Sequence, residues 1–566
     1  MKERLAAIRS WLPGAARKAS ATGSQILGCA VAVEAEKSAS KAERHSAKPG
    51  RLWPRWIFLR ALGVIYFSAF YSFYFQVKGL IGPDGILPAR DYLRAIAAAP
   101  NLHAQRLWFA PTLLWISSSD RALMLLCWLG LIASALLVVN LWPRGMLLVS
   151  FVCFLSFIAA AQDFASYQSD GMLLEAGFIS LFLAAPGLWP GLGADHPPSW
   201  LSTFLLQWEW FRIYFESGAG KWLGHDPSWR NLTAMDQYYQ NGPLPTWIGY
   251  YVQHFPHWFQ ASTALLTLIT EIFLVWMLFL PRRFRIACFC IVTPFQIAII
   301  LTANYAFLNY LVLALGFLLL DDRFIEWILS ARVRRFADWK PKALAVFDGA
   351  HNVIERWRTS LRPATSAISV VCLGLVLYVA TAQLVGMFVF NPPIPQEPIT
   401  WLEPFRIANL YGLFERMTWA RYEIEFQGSN DGRTWIAYPF RYKPQDVNKP
   451  PGIYAPYQPR FEWNMWFASL GSWDQNRWVV WTEERLLQNS PDVLQLFAYD
   501  PFPRSSPPTE VRSVIYQYWF TSLETKRKTG AWWRREELGE YAPELIMQPN
   551  GRPAVIETPL ANPPPP

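Results

Sequence analysis

Residues 56–76 read WIFLRALGVIYFSAFYSFYFQ, a run in which Arg60 is the only charged residue. A helix of about 20 mostly apolar residues crosses the hydrocarbon core of a bilayer, so this run predicts a membrane-spanning helix. Similar runs recur along the chain, and together they predict a multipass α-helical membrane protein. We expect about nine spans, at 56–76, 121–142, 146–161, 172–188, 200–220, 261–280, 284–302, 306–320 and 366–390.

The composition of the chain agrees with a membrane protein. Of its 566 residues, 52% are hydrophobic and 16% are aromatic, and charged residues make up 16%, compared with roughly 25% in soluble domains. The formal net charge of +9 is concentrated before the first span, so we expect membrane lipid as a partner and no nucleic acid. The basic residues there are Lys37, Lys41, Arg44, Lys48, Arg51 and Arg55.

Basic residues in short loops predict the side of the membrane that each loop faces. Lysine and arginine are enriched in cytoplasmic loops, and here they cluster in residues 1–55, at 282–285 and at 323–340. We therefore predict that residues 1–55 form a basic, disordered cytoplasmic tail and that 56–390 form the helical transmembrane domain. Nine spans would then carry the rest of the chain to the opposite side of the membrane.

The region 391–566 is predicted to be an extracytoplasmic β-rich domain with a sandwich-like fold. It begins with a proline-rich linker, after which Tyr422, Ile424 and Phe426 alternate with polar residues. The turn sequence SNDG follows at 429–432. Alternation that ends in such a turn is typical of a β-hairpin.

The cysteines and histidines give no metal-binding pattern. Five of the six cysteines lie in apolar stretches or near them, and none lies beyond Cys372, so no disulfide or zinc site is predicted for the β-rich region. His254 and His257 are three residues apart, and we interpret them as packing residues rather than ligands. Neither a metal nor a cofactor is predicted.

The segment 207–259 combines ionisable residues with an apolar context. It reads QWEWFRIYFESGAGKWLGHDPSWRNLTAMDQYYQNGPLPTWIGYYVQHFPHWF. Glu209, Arg212 and Glu216 follow helical spacing and share one helix face, where opposite charges can pair. Charged groups at membrane depth are costly and usually face the protein interior or a wet cavity. Two interpretations stay open: a functional site, or a ladder of ion pairs that fixes helix packing.

The small residues SGAG at 217–220 predict either the close approach of a neighbouring helix or the end of the span. Lys221 follows, and it either extends to the membrane surface or acts as a tuned base beside Glu216 and Asp226. The catalytic residues, if any exist, are unknown, and these three are the candidates. The residues expected to act with them in the outer loop 221–260 or just before it are Glu209, Arg212, Trp229, Arg230, Asp236 and His254.

Two groups of motifs occur in order along the chain. The first group contains Gly220, Gly224, Asp226, Trp229, Arg230, Leu232, Thr233, Asp236, Tyr239, the PLP of 243–245, Trp247, His254, Pro256 and Phe259. The second group contains RYE at 421–423, Phe440, Tyr442, Lys443, Pro444, Pro456, Gln458, Pro459, Arg460, Trp463, Met465, Trp466, Phe467, Arg512, Trp532, Trp533 and Arg534. Together they resemble the lipase maturation factors, multipass membrane proteins of the endoplasmic reticulum that help certain lipases reach an active, secretable state.

This resemblance implies a non-enzymatic, chaperone-like membrane protein whose outer loops and β-rich domain bind an exported client protein such as a lipase. It implies an integral membrane location, in the endoplasmic reticulum or in a bacterial inner membrane. The tryptophans that we consider for client binding are Trp463, Trp466, Trp532 and Trp533, and the alternative for the Trp-rich segment is a place in the core.

A shorter motif suggests a different class of function. Tyr214-Phe215-x-x-Gly218-x-x-Lys221 is similar to the region of vitamin K-dependent carboxylases that carries a catalytic lysine. That similarity implies a membrane enzyme in which Lys221 is the base. Convergent charges beneath a sealed cavity would favour the enzyme, whereas dispersed ion pairs would favour a scaffold.

Overall fold

The computed structural model describes residues 50–557, with the exception of 101, 103, 104, 166, 225, 330–347 and 504. For residues 348–365 it describes the backbone only. Most of the predicted tail and part of the basic loop 323–340 lie outside the described residues. Residues from Arg51 onward cluster as one unit, and the boundary proposed near residue 390 stays a prediction.

The described residues are mostly helical before residue 403 and mixed after residue 420. The α-helices are α1 Leu52–Ile81, α2 Ala89–Ala98, α3 Arg106–Phe109, α4 Asp120–Val138, α5 Pro143–Ile158, α6 Gln168–Leu183, α7 Trp200–Leu223, α8 Pro227–Arg230, α9 Tyr238–Asn241, α10 Trp247–Gln253, α11 His257–Leu268, α12 Arg282–Thr302, α13 Leu308–Gly316, α14 Asp322–Ile328, α15 Asp348–Phe388, α16 Glu397–Leu402, α17 Arg460–Ala468, α18 Trp478–Leu487, α19 Pro491–Leu494 and α20 Leu523–Thr529. The strands are β1 Arg421–Ser429, β2 Ile436–Ala437, β3 Glu510–Phe520, β4 Trp533–Glu540, β5 Glu544–Met547 and β6 Pro553–Glu557.

Helices suited to a bilayer confirm a membrane protein with several spans. Within the described residues, five helices are long and apolar enough to cross: Leu52–Ile81, Asp120–Val138, His257–Phe279, Arg282–Thr302 and Ser366–Phe388. The other four predicted spans fall on α5, α6, α7 and α13. A helix of 16 residues such as α5 rises about 24 Å, which is less than the roughly 30 Å of the hydrocarbon core. The five helices therefore do not establish the predicted count of about nine.

The span that begins at His257 changes its winding midway. Its α-helical turns end at Leu268, a π-helical segment covers Ile269–Phe273, and a 3-10 segment continues over Leu274–Phe279. Wider π turns re-aim the side chains that they carry and are frequent at functional sites. This one carries Glu271, which is buried.

The described strands form one six-stranded antiparallel sheet in the order β2-β1-β3-β5-β6, with β4 also paired to β3. The predicted hairpin is confirmed, because Gln427 of β1 faces Ala437 of β2 across the turn. The sandwich-like prediction is wrong for the described residues, which contain no second sheet. Helix α17 packs against β1 and α18 packs against β3, so helices provide the layer that a sandwich would take from strands.

Arg460 at the start of α17 attaches the sheet region to the helical region. Its guanidinium donates two hydrogen bonds to the carboxylate of Asp170 on α6, at 2.8 and 2.7 Å. It also donates to the carbonyl of Phe164 at 2.9 Å and lies 4.2 Å from the ring centre of Phe73. Arg460 and Asp170 are both buried, so this ion pair links α17 to α6 in the protein interior.

Glu483 on α18 makes the stability of the sheet region dependent on pH. Burial raises the pKa of this carboxyl well above its ordinary value, and the charges of Glu484, Glu540 and Glu544 add to the effect. The folded state therefore keeps a proton that the unfolded state releases at an ordinary carboxyl pKa. Between the two pKa values, stability falls as the pH rises, by at most about 1.4 kcal/mol per pH unit for one proton.

We therefore expect Glu483→Gln to stabilise the protein, and the gain to grow as the pH rises from the ordinary carboxyl pKa of about 4.5 towards the raised pKa of the folded state. Thermal unfolding of the detergent-purified chain across this range measures the effect. Glu536→Gln, at an exposed position of β4, is the matched control. A gain that is equal at every pH would contradict the assignment of the proton to Glu483.

Candidate functional site

Helix α7 holds four of the ionisable residues that the sequence singled out. It begins where the hydroxyl of Ser199 accepts a hydrogen bond from the amide of Ser202. Glu209, Arg212, Glu216 and Lys221 are all at most 1% exposed. Arg212 and Glu216 pair at 3.7 Å one turn apart, as their spacing predicted.

Arg212 is the centre of a buried charge network. It makes an ion pair with Glu175 of α6, and its Nη1 donates to the carbonyl of Asn409 at 2.6 Å. Its guanidinium carbon lies 5.2 Å from the ring centre of Tyr411, whose hydroxyl donates to Glu175 at 2.8 Å. Glu209 is also buried, and neither of its carboxylate oxygens has a hydrogen-bond partner among the described residues.

Residues 406–419, which we call the strap, lead into β1 and pass along α7. The site residues hold the strap by its main chain. The amide of Tyr411 donates to Glu216 at 2.8 Å, and the amide of Leu413 donates to the hydroxyl of Ser217 at 3.1 Å. Both bonds are made by main-chain amides of the strap, so they do not depend on the side chains of Tyr411 and Leu413.

Lys221 binds the strap from the end of α7. Its Nζ donates to the carbonyl of Leu413 at 2.8 Å and to Glu271 of the π-helical segment at 2.8 Å. It also lies 5.1 Å from the ring centre of Trp229, whose Nε1 donates to the carbonyl of Phe414 at 3.0 Å. The Lys221 side chain is therefore fully engaged by a carboxylate, a carbonyl and an aromatic face.

Asp226 joins the strap to the start of α8. One of its oxygens accepts from the amide and the hydroxyl of Ser228, at 2.9 and 2.6 Å. The other accepts from the amide of Met417 at 2.6 Å. Asp226 thus acts as a helix cap that also fixes the far end of the strap.

The side chains of the remaining outer-loop candidates form hydrogen bonds or ion pairs with residues outside the strap. Arg230 is exposed and donates to the carbonyl of Trp222. Asp236 faces the exposed His257 at 3.0 Å. The ring nitrogens of His254 lie 2.7 Å from the carbonyl of Tyr250 and 3.0 Å from that of Thr521.

Three of the four tryptophans considered for client binding are interior residues. Trp463, Trp466 and Trp533 are buried, which favours the packing alternative for them. Trp532 is partly exposed and carries the ammonium of Lys526 at 3.3 Å from its ring centre. Among the residues that the structure places, no group of three histidines, cysteines or carboxylates is arranged to hold a metal ion.

Comparison with known proteins agrees with this arrangement. Residues 53–327 match the lipase maturation factor transmembrane domain, and residues 407–543 match the lipase maturation factor C-terminal domain. The chain belongs to the lipase maturation factor family. The second match begins within the strap, so this family segment includes the backbone that the site residues hold.

Relatives in vertebrates are similar over most of their length. Lipase maturation factor 2 of Gallus gallus is 33% identical, over 87% of this chain and 81% of the relative. Lipase maturation factor 1 of Bos taurus is 31% identical, over 88% of this chain and 90% of the relative. No solved structure matches. These matches support a membrane maturation factor and give no support to the carboxylase-like alternative.

Gly218 allows α7 to approach the π-helical segment closely, as the small residues at 217–220 predicted. A Cβ atom at Gly218 would lie 2.7 Å from the Cβ of Glu271 and 2.9 Å from the Cγ1 of Ile272. The glycine therefore brings Lys221 within reach of Glu271.

We expect Gly218→Ala to push the two segments apart and to destabilise the protein by about 1–3 kcal/mol, the usual cost of overpacking. Thermal unfolding of the purified chain measures this loss. Gly374→Ala is the matched control in a membrane helix, because a Cβ there meets no atom within 4 Å. Equal stability of the two variants would show that the close approach is not required.

Proposed function

We propose that this protein assists the maturation of exported lipases as a membrane-anchored, non-enzymatic factor. The relatives are named for lipase maturation, and their similarity covers both the helical region and the sheet region. In this proposal the helical region anchors and orients the sheet region and outer loop, which receive the client. The membrane is that of the endoplasmic reticulum, or the inner membrane if the host is bacterial.

The proposal rests on one observation: the candidate catalytic residues are hydrogen-bonded to other parts of the same chain. Lys221, Glu216 and Asp226 each bind the strap backbone, and Lys221 is additionally paired with Glu271. A general base must reach the proton that it abstracts, whereas these side chains are buried or committed to main-chain partners. They position the strap and, through it, the first strand of the sheet.

Contacts at the two ends of the helices support the predicted orientation. The outer loop meets the sheet region, since the hydroxyl of Tyr250 donates to the carbonyl of Thr521 at 3.0 Å. Helix α12 ends at this side, where Pro245 and Ala303 form a β-bridge. It starts at the opposite side with Arg282, which pairs with Asp321. We propose that the end near Arg282 is cytoplasmic, that the sheet region is not, and that about nine helices cross the membrane.

The experiment uses a host that lacks this protein and is complemented with the wild-type gene. Secreted lipase activity and secreted lipase abundance are measured together with a secreted enzyme that is not a lipase. We expect complementation to restore the activity per lipase molecule and to leave the second enzyme unchanged. If lipase activity does not depend on the protein, or if both enzymes change equally, the proposal fails.

A further inference from the structure

A cavity of about 260 Å³ lies between the outer loop and the end of the strap. Hydrogen bonds fix its two walls to each other: Asn241 donates to the carbonyl of Thr418 at 2.8 Å, and the amide of Met417 donates to Asp226 at 2.6 Å. All of its lining residues lie outside the five helices suited to a bilayer. The cavity is therefore already formed in the unbound protein, next to the outer loop.

The lining combines apolar walls with one carboxylate. Ala234, Met417 and the indole of Trp419 contribute apolar surface, and Asp236 contributes the charge. Trp419 is 51% exposed, so about half of its surface is accessible. Both oxygens of Asp236 lie near Nδ1 of His257, at 3.0 and 3.1 Å. The Asp236 side chain is nevertheless 33% exposed, so a second cation can approach the exposed side of the carboxylate.

A long basic side chain matches this chemistry. Its aliphatic stem would cover the apolar walls, as such stems do on protein surfaces. Its cation would meet the carboxylate of Asp236 and the aromatic face of Trp419, because an indole attracts a cation placed over its ring.

We propose that this cavity binds an arginine or lysine side chain presented by an extended segment of the exported client. The proposal rests on the proposed function, since it names the part of the client that the outer loop recognises. Asp236 would pair with the positive charge of that side chain, and Trp419 would contact its aliphatic stem and its cation. The cavity thereby selects basic segments of the client.

The test titrates the detergent-purified full chain with a fluorescein-labelled peptide, read by fluorescence anisotropy. The peptide has a glycine–serine host sequence with one arginine, and the matched peptide has citrulline, which keeps the shape and removes the charge. We expect the arginine peptide to bind about fivefold more tightly. In Asp236→Asn the two peptides should bind equally, and Trp419→Ala should weaken the arginine peptide.

Asp91→Asn and Trp401→Ala are the matched controls, because both side chains are exposed and lie outside the cavity. They should keep the preference for arginine. The proposal is overturned if wild type binds the two peptides equally or if Asp236→Asn retains the preference. Capture of a purified, urea-unfolded lipase by the wild-type chain is measured in parallel. Capture without an arginine preference defeats only the cavity, and an arginine preference without capture defeats the lipase function.

Discussion

Replacing Arg460 with methionine should destabilise the protein by about 3–5 kcal/mol, because it leaves the carboxylate of Asp170 buried without its cation. Arg460 and Asp170 are both fully enclosed and form two hydrogen bonds. The lost guanidinium also contacts the carbonyl of Phe164 and the ring of Phe73. We therefore expect α17 and the sheet region to detach, with low protein levels in the membrane.

Thermal unfolding and membrane abundance of Arg460→Met measure this effect. The double variant Arg460→Met with Asp170→Leu removes both charges, and it should recover much of the lost stability because no unpaired ion is left inside. Two outcomes would contradict the account: a single variant as stable as wild type, or a double variant no better than the single one.

Arg212→Ala should lower the free energy of unfolding by a similar amount, about 3–5 kcal/mol, because it leaves Glu175 and Glu216 buried without their shared cation. It also removes the donor to the carbonyl of Asn409. The strap should lose its order first. Hydrogen exchange should therefore accelerate at the amides of Tyr411 and Leu413, while the amides of the paired β1 and β3 strands stay protected longer.

Arg230→Ala is the matched control for Arg212→Ala. Arg230 is an exposed arginine of the same region, bonded to the carbonyl of Trp222, and its loss should cost less than about 1 kcal/mol. If the two variants show the same exchange at the strap amides, the strap does not depend on the charge network.

The sequence allowed the local patterns to be predicted, but not their partners. Period-two alternation at Tyr422, Ile424 and Phe426 predicted β1, and helical spacing predicted the pairing of Arg212 with Glu216. Both patterns arise within one element, so neighbouring residues are sufficient to reveal them. The spacing of three between Trp463 and Trp466 and between Trp478 and Trp481 was also a helical signal, and it identifies the two helices that replace the expected second sheet.

The strap was not predicted because several of the contacts that hold it to α7 are made by main-chain amides, such as those of Tyr411 and Leu413. A main-chain amide such as that of Leu413 is the same in every sequence, so no pattern at 406–419 reports that Ser217 binds it. The acidic partners could have been anticipated. Asp170, Glu175 and Glu271 lie inside or beside apolar runs, where an ionisable residue signals a buried partner or function.

We propose that the buried charged residues of α7, among them Glu216 and Lys221, position the strap and perform no chemistry. The most direct test compares Lys221→Met with the double variant Lys221→Met and Glu271→Met, by secreted lipase activity at measured protein abundance. The single variant leaves Glu271 without its cation, whereas the double variant replaces the pair by apolar side chains, which is often tolerated. We expect the double variant to recover protein abundance and lipase maturation together, because Glu216, Ser217 and Trp229 still bind the strap. A double variant with normal abundance and no lipase maturation would contradict it, because Lys221 would then be needed for its chemistry.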